Sequence, residues 1–339
     1  MKASPVPPLF TTMLRTLAAA LLCASAACGA TTATAPPSST SAAAPAPRPP
    51  DPAAVAANEL GQIPILMYHR IEAEPSGEYD QTPTKFTAEL DRLYTEGYRP
   101  ITLAQYLTGR IDLPAGTHPV VLTFDDSTRT QLTLTDAGDP APDCAVGLLE
   151  QFHTRHPDFA ATATFYINND PFGDDARALP WLAHHGYDIG AHTATHPNLG
   201  HLDATGVQRE FVQNLRAIGA ALPGTTVHSM ALPLGVYPSD RALATAGAWD
   251  GTPYTFEAVL LVGANPAPSP VAADLDPAAL PRIRSGRGAV PFDSTYWLDW
   301  LAAHPAARYT SDGDPDHVSF PRGGTEQVAA RWSSAAQPY

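Results

Sequence analysis

Two adjacent carboxylates, Asp125 and Asp126, stand at the end of the apolar run Val120-Val121-Leu122-Thr123-Phe124. The run reads as a buried strand, and Pro119 suits a strand start, where no ladder donor is needed. Neighbouring carboxylates at such a strand end lose water and repel each other, so they rarely sit together unpaired. A cation would neutralise one and leave the other to act as a base. A solvated Asp-Asp turn after an ordinary core strand explains the same stretch equally well. Further along, His192 and His196 lie four residues apart in Gly190-Ala191-His192-Thr193-Ala194-Thr195-His196-Pro197. A helical turn or a tight loop puts both imidazoles on one side. Two neutral imidazoles and one carboxylate make a three-ligand metal site that keeps a position open for water. The spacing alone carries little in a chain with 12 histidines, and Thr193 stands where the zincin signature H-E-x-x-H has its Glu.

Strand and helix patterns alternate around these residues, which predicts parallel βα units. Ile63-Pro64-Ile65-Leu66-Met67-Tyr68 is an apolar strand closed by His69, as the later run is closed by Asp125. A lone histidine in that place is either a packed core residue or a catalyst. Residues 84–94 put Phe86, Leu90, Leu93 and Tyr94 on one helical face, with Thr84 as the expected N-cap and Gly97 as the stop. A short helix is expected at 103–107, and a polar excursion at 127–142 precedes a helix at 143–152. Cys144 in that helix reads as a small buried hydrophobe. Strands at 162–167 and 187–190 flank a short helix at 179–185. Asp293 caps a helix carrying Trp297 and Trp300, whose flat rings suit a sugar cleft or a core equally.

The pairing of an acidic strand end with an imidazole-bearing one resembles the polysaccharide deacetylase family, carbohydrate esterase family 4. Thr123-Phe124-Asp125-Asp126 is similar to its first motif, and His192-Thr193-Ala194-Thr195-His196 to its H-[ST]-x-x-H motif. The resemblance covers residues 63–308. It implies a distorted (β/α) barrel of fewer than eight regular strands, with the site at the C-terminal strand ends. It also implies Asp126, His192 and His196 as ligands of a divalent ion, zinc first, and Asp125 as general base. The family's third motif, Arg-x-Pro-[Tyr/Phe]-Gly, is similar to Ala231-Leu232-Pro233-Leu234-Gly235. Pro233 and Gly235 keep the turn, and the Leu234 amide remains as oxyanion donor, but Ala231 replaces the arginine that orients the base. Arg282 and Arg284 are candidates for that role, with plain surface charge as the alternative for both. The family's closing Leu-x-His strand is similar to Leu66-Met67-Tyr68-His69 at the front of the chain, the permuted order of poly-N-acetylglucosamine deacetylases. His69 is then the implied general acid, with His317 behind it. Tyr68, Pro233, Leu234, Gly235, Arg282 and Trp297 are expected at the substrate. The implied activity is hydrolysis of N-acetyl groups on peptidoglycan, a chitin-like chain or poly-N-acetylglucosamine. Two alternatives stay open: an O-acetyl esterase, on xylan for example, and a catalytically silent tethered glycan-binding protein.

The 339 residues carry a formal net charge of −14 and 44% hydrophobic residues. A large core is available, and the acidic balance argues against nucleic acid or an anionic membrane surface as partner. Residues 1–29 resemble an export signal, with Lys2 and Arg15 ahead of an apolar stretch and small residues at 24–27. That stretch is shorter than a membrane span requires. Cys28 resembles the cysteine of a bacterial lipoprotein signal, although Ser25 stands where leucine is usual; plain secretion is the alternative. Residues 30–59 are rich in Pro, Ala, Ser and Thr and read as a disordered tether, with order expected from Ile63. A catalytic domain at 60–308 and a tail of unassigned role at 309–339 complete the expected organisation. Without the signal only Cys28 and Cys144 remain, too few for a disulfide framework. The expectation is an exported monomer, either a surface lipoprotein or secreted, that meets a membrane only through its lipid.

Overall fold

The apolar run after Gln62 forms β1 (Ile65–Tyr68), buried along its length, in a computed structural model that describes residues 50–173, 175–285, 291–324 and 327–339. The export signal, Cys28 and most of the expected tether lie outside the described residues. Helix α1 (Pro83–Thr95) follows, capped by Thr82 rather than Thr84 because Pro83 takes the first helical position, where a missing N–H costs nothing. Next come β2 (Tyr98–Ile101), α2 (Leu103–Thr108), β3 (His118–Phe124) and α3 (Ala145–Arg155). Cys144 is the N-cap of α3, its thiol sulfur accepting from the Gly147 N–H. Then β4 (Thr164–Ile167), α4 (Ala178–His184), β5 (Asp188–Ala191), α5 (Ala204–Ala221) and β6 (Ser229–Ala231) continue the alternation. A hairpin of β7 (Ala246–Trp249) and β8 (Thr252–Thr255) leads to β9 (Ala258–Leu260), β10 (Ile283–Arg284) and α6 (Ser294–Ala303). Two short strands, β11 (Val318–Phe320) and β12 (Ala336–Pro338), close the chain.

The main sheet is parallel in the order β10-β1-β3-β4-β5-β6-β9, and β2 pairs with the first half of β3. Bridges from Leu260 to Leu280 and from Ala264 to Ile283 link the two end strands, so the sheet curls into a distorted barrel with helices outside. Fewer than eight strands form the continuous path, as expected.

Strand parity sorts the side chains. Leu66, Tyr68, Leu122 and Phe124 belong to the cluster packed with helix residues such as Phe86 and Leu149. Ile65, Val121, Tyr166 and Leu260 belong to the cluster inside the curl. Because Tyr68 stands beside Phe124 in register, both face the helices. Met67, His69, Thr123 and Asp125 have the opposite parity and face inward.

Both expected edges of the domain move. Order begins before Ile63: Pro52–Val55 forms a turn capped by Asp51, Ala57 is buried, and Asn58 pairs with Thr310. The described residues of 309–339 are folded, with β11 and β12 paired in parallel and Tyr339 donating to the Ala57 carbonyl at 2.8 Å. Composition alone misses this because each terminal segment is held by the other, across the length of the chain.

Glu59 sits in that junction. Its carboxylate accepts from the Ser319 N–H at 2.8 Å and the Tyr309 hydroxyl at 3.1 Å. Burial, then the nearby Asp312, push its pKa from 4.5 up to about 8. Folded chains therefore hold a proton that unfolded chains release between those two values. This stabilisation is full below pH 4.5 and is lost as pH rises to about 8, by at most about 1.4 kcal/mol per pH unit. Thermal unfolding across this window should show a falling midpoint, and Glu59→Gln should flatten the slope. An unchanged slope in the variant would assign the titration to another group.

Candidate active site

Asp125 and Arg282 form the buried centre of the site. Arg282 is fully buried and donates to both oxygens of Asp125, Nη1 to Oδ1 and Nη2 to Oδ2, each at 2.7 Å. Its Nη1 also reaches the Thr123 hydroxyl at 3.1 Å, and its Nε the Leu261 carbonyl at 2.8 Å. Such forked bonds fix orientation as well as charge. Burial alone would raise the Asp125 pKa; Arg282, aided by His192, outweighs it and holds the carboxyl well below its usual range. Arg284 does not share this role, since it faces Glu78 at 3.3 Å.

The next residue turns the chain. Asp126 has φ of 74° and leaves the strand with its carboxylate half-exposed. Nε2 of His192 lies 3.3 Å and Nε2 of His196 lies 3.5 Å from Asp126 Oδ1. Nδ1 of His192 contacts the Ala231 carbonyl at 2.8 Å, which fixes the proton there and leaves the lone pair on Nε2. That Nε2 is buried and makes no hydrogen bond among the described residues. One ligand atom from each of Asp126, His192 and His196 lies within 4.8 Å of the others. An orphaned buried imidazole nitrogen facing a carboxylate and a second imidazole fits a divalent cation, which would join all three. Burial works to lower the His192 pKa, yet Asp125 and Asp126 outweigh it and the net shift is upward. For His196 burial and the charge of His192 prevail, and its pKa falls.

His69 shares the inward parity of Asp125, whose N–H donates to the Tyr68 carbonyl at 3.0 Å. The His69 ring stacks on Tyr79 with centroids 5.0 Å apart, and its buried Nδ1 has no hydrogen bond among the described residues. Burial lowers its pKa, against the pull of Asp125 and Asp126. After β6, Pro233 is buried, and Leu234 and Gly235 both have positive φ, 57° and 67°. Carbonyls of Leu232 and Pro233 take the N–H groups of Gly235 and Val236, while the Leu234 N–H has no acceptor among the described residues. That leaves a free backbone donor on the strand-end face.

With this geometry in hand, residues 113–248 match the polysaccharide deacetylase family. Over that span the chain is similar to a polysaccharide deacetylase domain. Curated relatives include a chitooligosaccharide deacetylase of Bradyrhizobium sp. (strain ANU 289), 29% identical over 132 residues, 39% of this chain and 52% of that one. Another, from Rhizobium leguminosarum bv. phaseoli, is 29% identical over 126 residues, 37% of this chain and 53% of that one. The chain thus spans about half the length of the curated relatives it matches. Among solved structures, a Streptococcus pyogenes deacetylase in complex with acetate has a TM-score of 0.52 at 20% identity, over 69% of this chain and 97% of that one. A polysaccharide deacetylase from Bacillus cereus gives 0.52 at 16% identity, over 71% and 68%. At such identities the likeness is one of fold.

Two expectations for the site need correcting. Tyr68 cannot meet a substrate: it is fully buried among Phe86 and Phe124, and its hydroxyl donates to Glu89 of α1 at 2.7 Å. Its strand parity turns it toward the helices. Trp297 fits the core alternative, since it packs on the main cluster and its indole N–H donates to the Ala264 carbonyl at 2.6 Å. His317 lies in the C-terminal segment, paired with Asp314 at 3.0 Å, apart from these residues. Motif reading also misses Gln131, whose side-chain amide donates to the carbonyls of His69 and Asp125. It misses Glu210 and Asn214 as well. Their signal is polar character at i and i+4 on the α5 face that carries Val207, Phe211 and Ile218.

Replacing Arg282 by Met would leave Asp125 charged and alone in the interior, a change that costs about 3–5 kcal/mol in comparable buried pairs. Denaturant unfolding should show a loss of that order, and a second change, Asp125→Asn, should restore part of it. Equal stability of Arg282→Met and the parent would remove the ion pair from the account.

Proposed function

We propose that this protein is a metal-dependent hydrolase that removes N-acetyl groups from an N-acetylated polysaccharide outside the cytoplasm. One observation carries the proposal: the Arg282-held Asp125 stands directly before Asp126, which faces two imidazoles. The chitooligosaccharide deacetylases among its relatives support the substrate class, which we take to be peptidoglycan, a chitin-like chain or poly-N-acetylglucosamine. Asp126, His192 and His196 would hold the ion, and zinc suits two imidazoles and a carboxylate with an open position. Such an ion supplies an acidic water and a polarised acetyl carbonyl.

The chain's own residues do the rest. Asp125 is ionised throughout the neutral range, and takes the proton of the water whose oxygen attacks the acetyl carbon. Arg282 keeps the carboxylate aimed and must yield part of one hydrogen bond when the proton arrives. The carbonyl oxygen, gaining negative charge, is met by the Leu234 N–H. As the carbon–nitrogen bond breaks, the nitrogen needs a proton, and His69 is the donor. Acetate and a free amine on the sugar remain.

Asp125→Asn should keep metal and lose about 10²–10⁴-fold in turnover, the usual share of general-base assistance. His69→Ala should also keep metal, but its defect should depend on the leaving group. An activated aryl acetate leaves without protonation, so that ester should be hydrolysed far better by this variant than an N-acetyl glycan. Acetate release from both substrates, on metal-loaded protein, is the measurement. Equal losses on ester and amide would remove His69 as the acid.

The export reading joins the proposal. Cys28 becomes a lipidated first residue, and the Pro/Ala/Ser/Thr-rich stretch spans from membrane to glycan. Detergent partitioning should move the parent, and not Cys28→Ser, into the detergent phase. Both remaining in water would make the protein simply secreted.

A further inference from the structure

The loop that presents the two histidines has an unusual backbone. Thr193 and His196 both adopt left-handed φ, 66° and 55°, which non-glycine residues avoid unless the surroundings impose it. What imposes it here is a set of side chains from neighbouring elements. Glu210 of α5, buried on an otherwise apolar helix face, uses both oxygens on one residue of the loop. Its Oε2 accepts the Thr195 N–H at 2.9 Å and its Oε1 the Thr195 hydroxyl at 3.0 Å. One turn on, fully buried Asn214 accepts the His192 N–H at 3.2 Å and donates to the Ile167 carbonyl at 2.9 Å. From the end of β4, Asn168 donates to the His192 carbonyl at 2.7 Å and the Thr193 carbonyl at 3.2 Å.

The two histidines depend on this frame unequally. His192 has its own anchors, through its N–H to Ile167 and its Nδ1 to Ala231. His196 hangs from the loop, with its N–H on the Thr193 hydroxyl at 3.1 Å and Thr195 immediately before it. We infer that Glu210 is a positioning residue for the metal site: by clamping Thr195 it holds His196 in ligating position before any ion arrives. Asn168 and Asn214 do the same for His192. The inference rests on the proposed metal site and adds a residue to it that touches neither ion nor substrate.

The test is divalent-ion affinity of the full chain, measured with zinc against a chromophoric chelator and with cobalt by its visible absorption. Glu210→Ala should weaken zinc binding by about 10–100-fold, as loss of outer hydrogen bonds to metal ligands does, and should alter the cobalt spectrum. Thr195→Val, which removes one of the two bonds, should cost less. Glu210→Gln should bind nearly as the parent does, because an amide of that shape can accept the Thr195 N–H and donate to its hydroxyl. Parent-like affinity and spectrum in Glu210→Ala would overturn the inference. So would a Glu210→Gln defect as large as that of Glu210→Ala, which would point to charge rather than position. If Glu210→Ala fails to fold, Thr195→Val decides, and parent-like zinc affinity there overturns the clamp. A parent that binds no divalent ion would instead bring down the metal site itself, and the inference with it.

Discussion

The forked ion pair between Arg282 and Asp125 ties the closure of the barrel to its candidate chemistry. Arg282 precedes β10, at one end of the sheet path, while Asp125 follows β3, two strands away across β1. The guanidinium crosses the inside of the curl to make that contact, and its Nε holds Leu261, just past β9 at the other end of the path. A buried pair of this kind contributes little net stability compared with a well-packed apolar pair. Its effects are on the position and the ionisation of Asp125. It also explains how a fully buried carboxylate can stand beside Asp126 without either being forced to protonate.

Around that pair the backbone is strained in a patterned way. Of the nine non-glycine residues with positive φ among those described, five are Asp126, Ser127, Thr193, His196 and Leu234. All five lie just past the C-terminal ends of β3, β5 and β6. Left-handed turns at strand ends redirect the following side chain or N–H away from the strand's own alternation. Asp126 can thereby face the histidines although Asp125 points into the curl. Strain of this density persists only where other contacts over-determine the conformation, and the buried Glu210, Asn214 and Asn168 provide them around the histidine loop.

How much of this was legible in the sequence follows from how local each cause is. The strand ending in Asp125 and Asp126, the histidine spacing and the alternation of strand with helix are short-range patterns; they point to parallel βα units and, through the resemblance their motifs carry, to the barrel and to the cluster of Asp126, His192 and His196. Period-two parity was equally readable, and it separates His69 from Tyr68: counting back from Tyr68 puts it with Leu66 on the helix side. A strand motif read as a block hides that distinction. Arg282 and Arg284 share a parity, so only the depth of each along β10, a tertiary fact, gives Asp125 to the first and Glu78 to the second. The folded edges at 50–62 and 309–339 were illegible for the same reason, because each supplies the other's partners.

The order of motifs along the chain is a weaker constraint than the order of strands in the sheet. Residues 113–248, the span matched to the family, hold Asp125, Asp126, His192, His196 and the Pro233 turn, but neither His69 nor Arg282. Those two come from β1 and from the approach to β10, far apart in sequence and adjacent in the sheet. The pairing β10-β1-β3 therefore delivers a histidine and an arginine to the strand that ends in Asp125, whichever end of the chain encodes them. The case for a silent glycan-binding protein rests on Ala231, where the family's arginine is missing, and on the displaced closing motif. A guanidinium that reaches Asp125 from position 282 removes the first of these supports, since a base at Asp125 would need a partner in space and not at a given place in the chain.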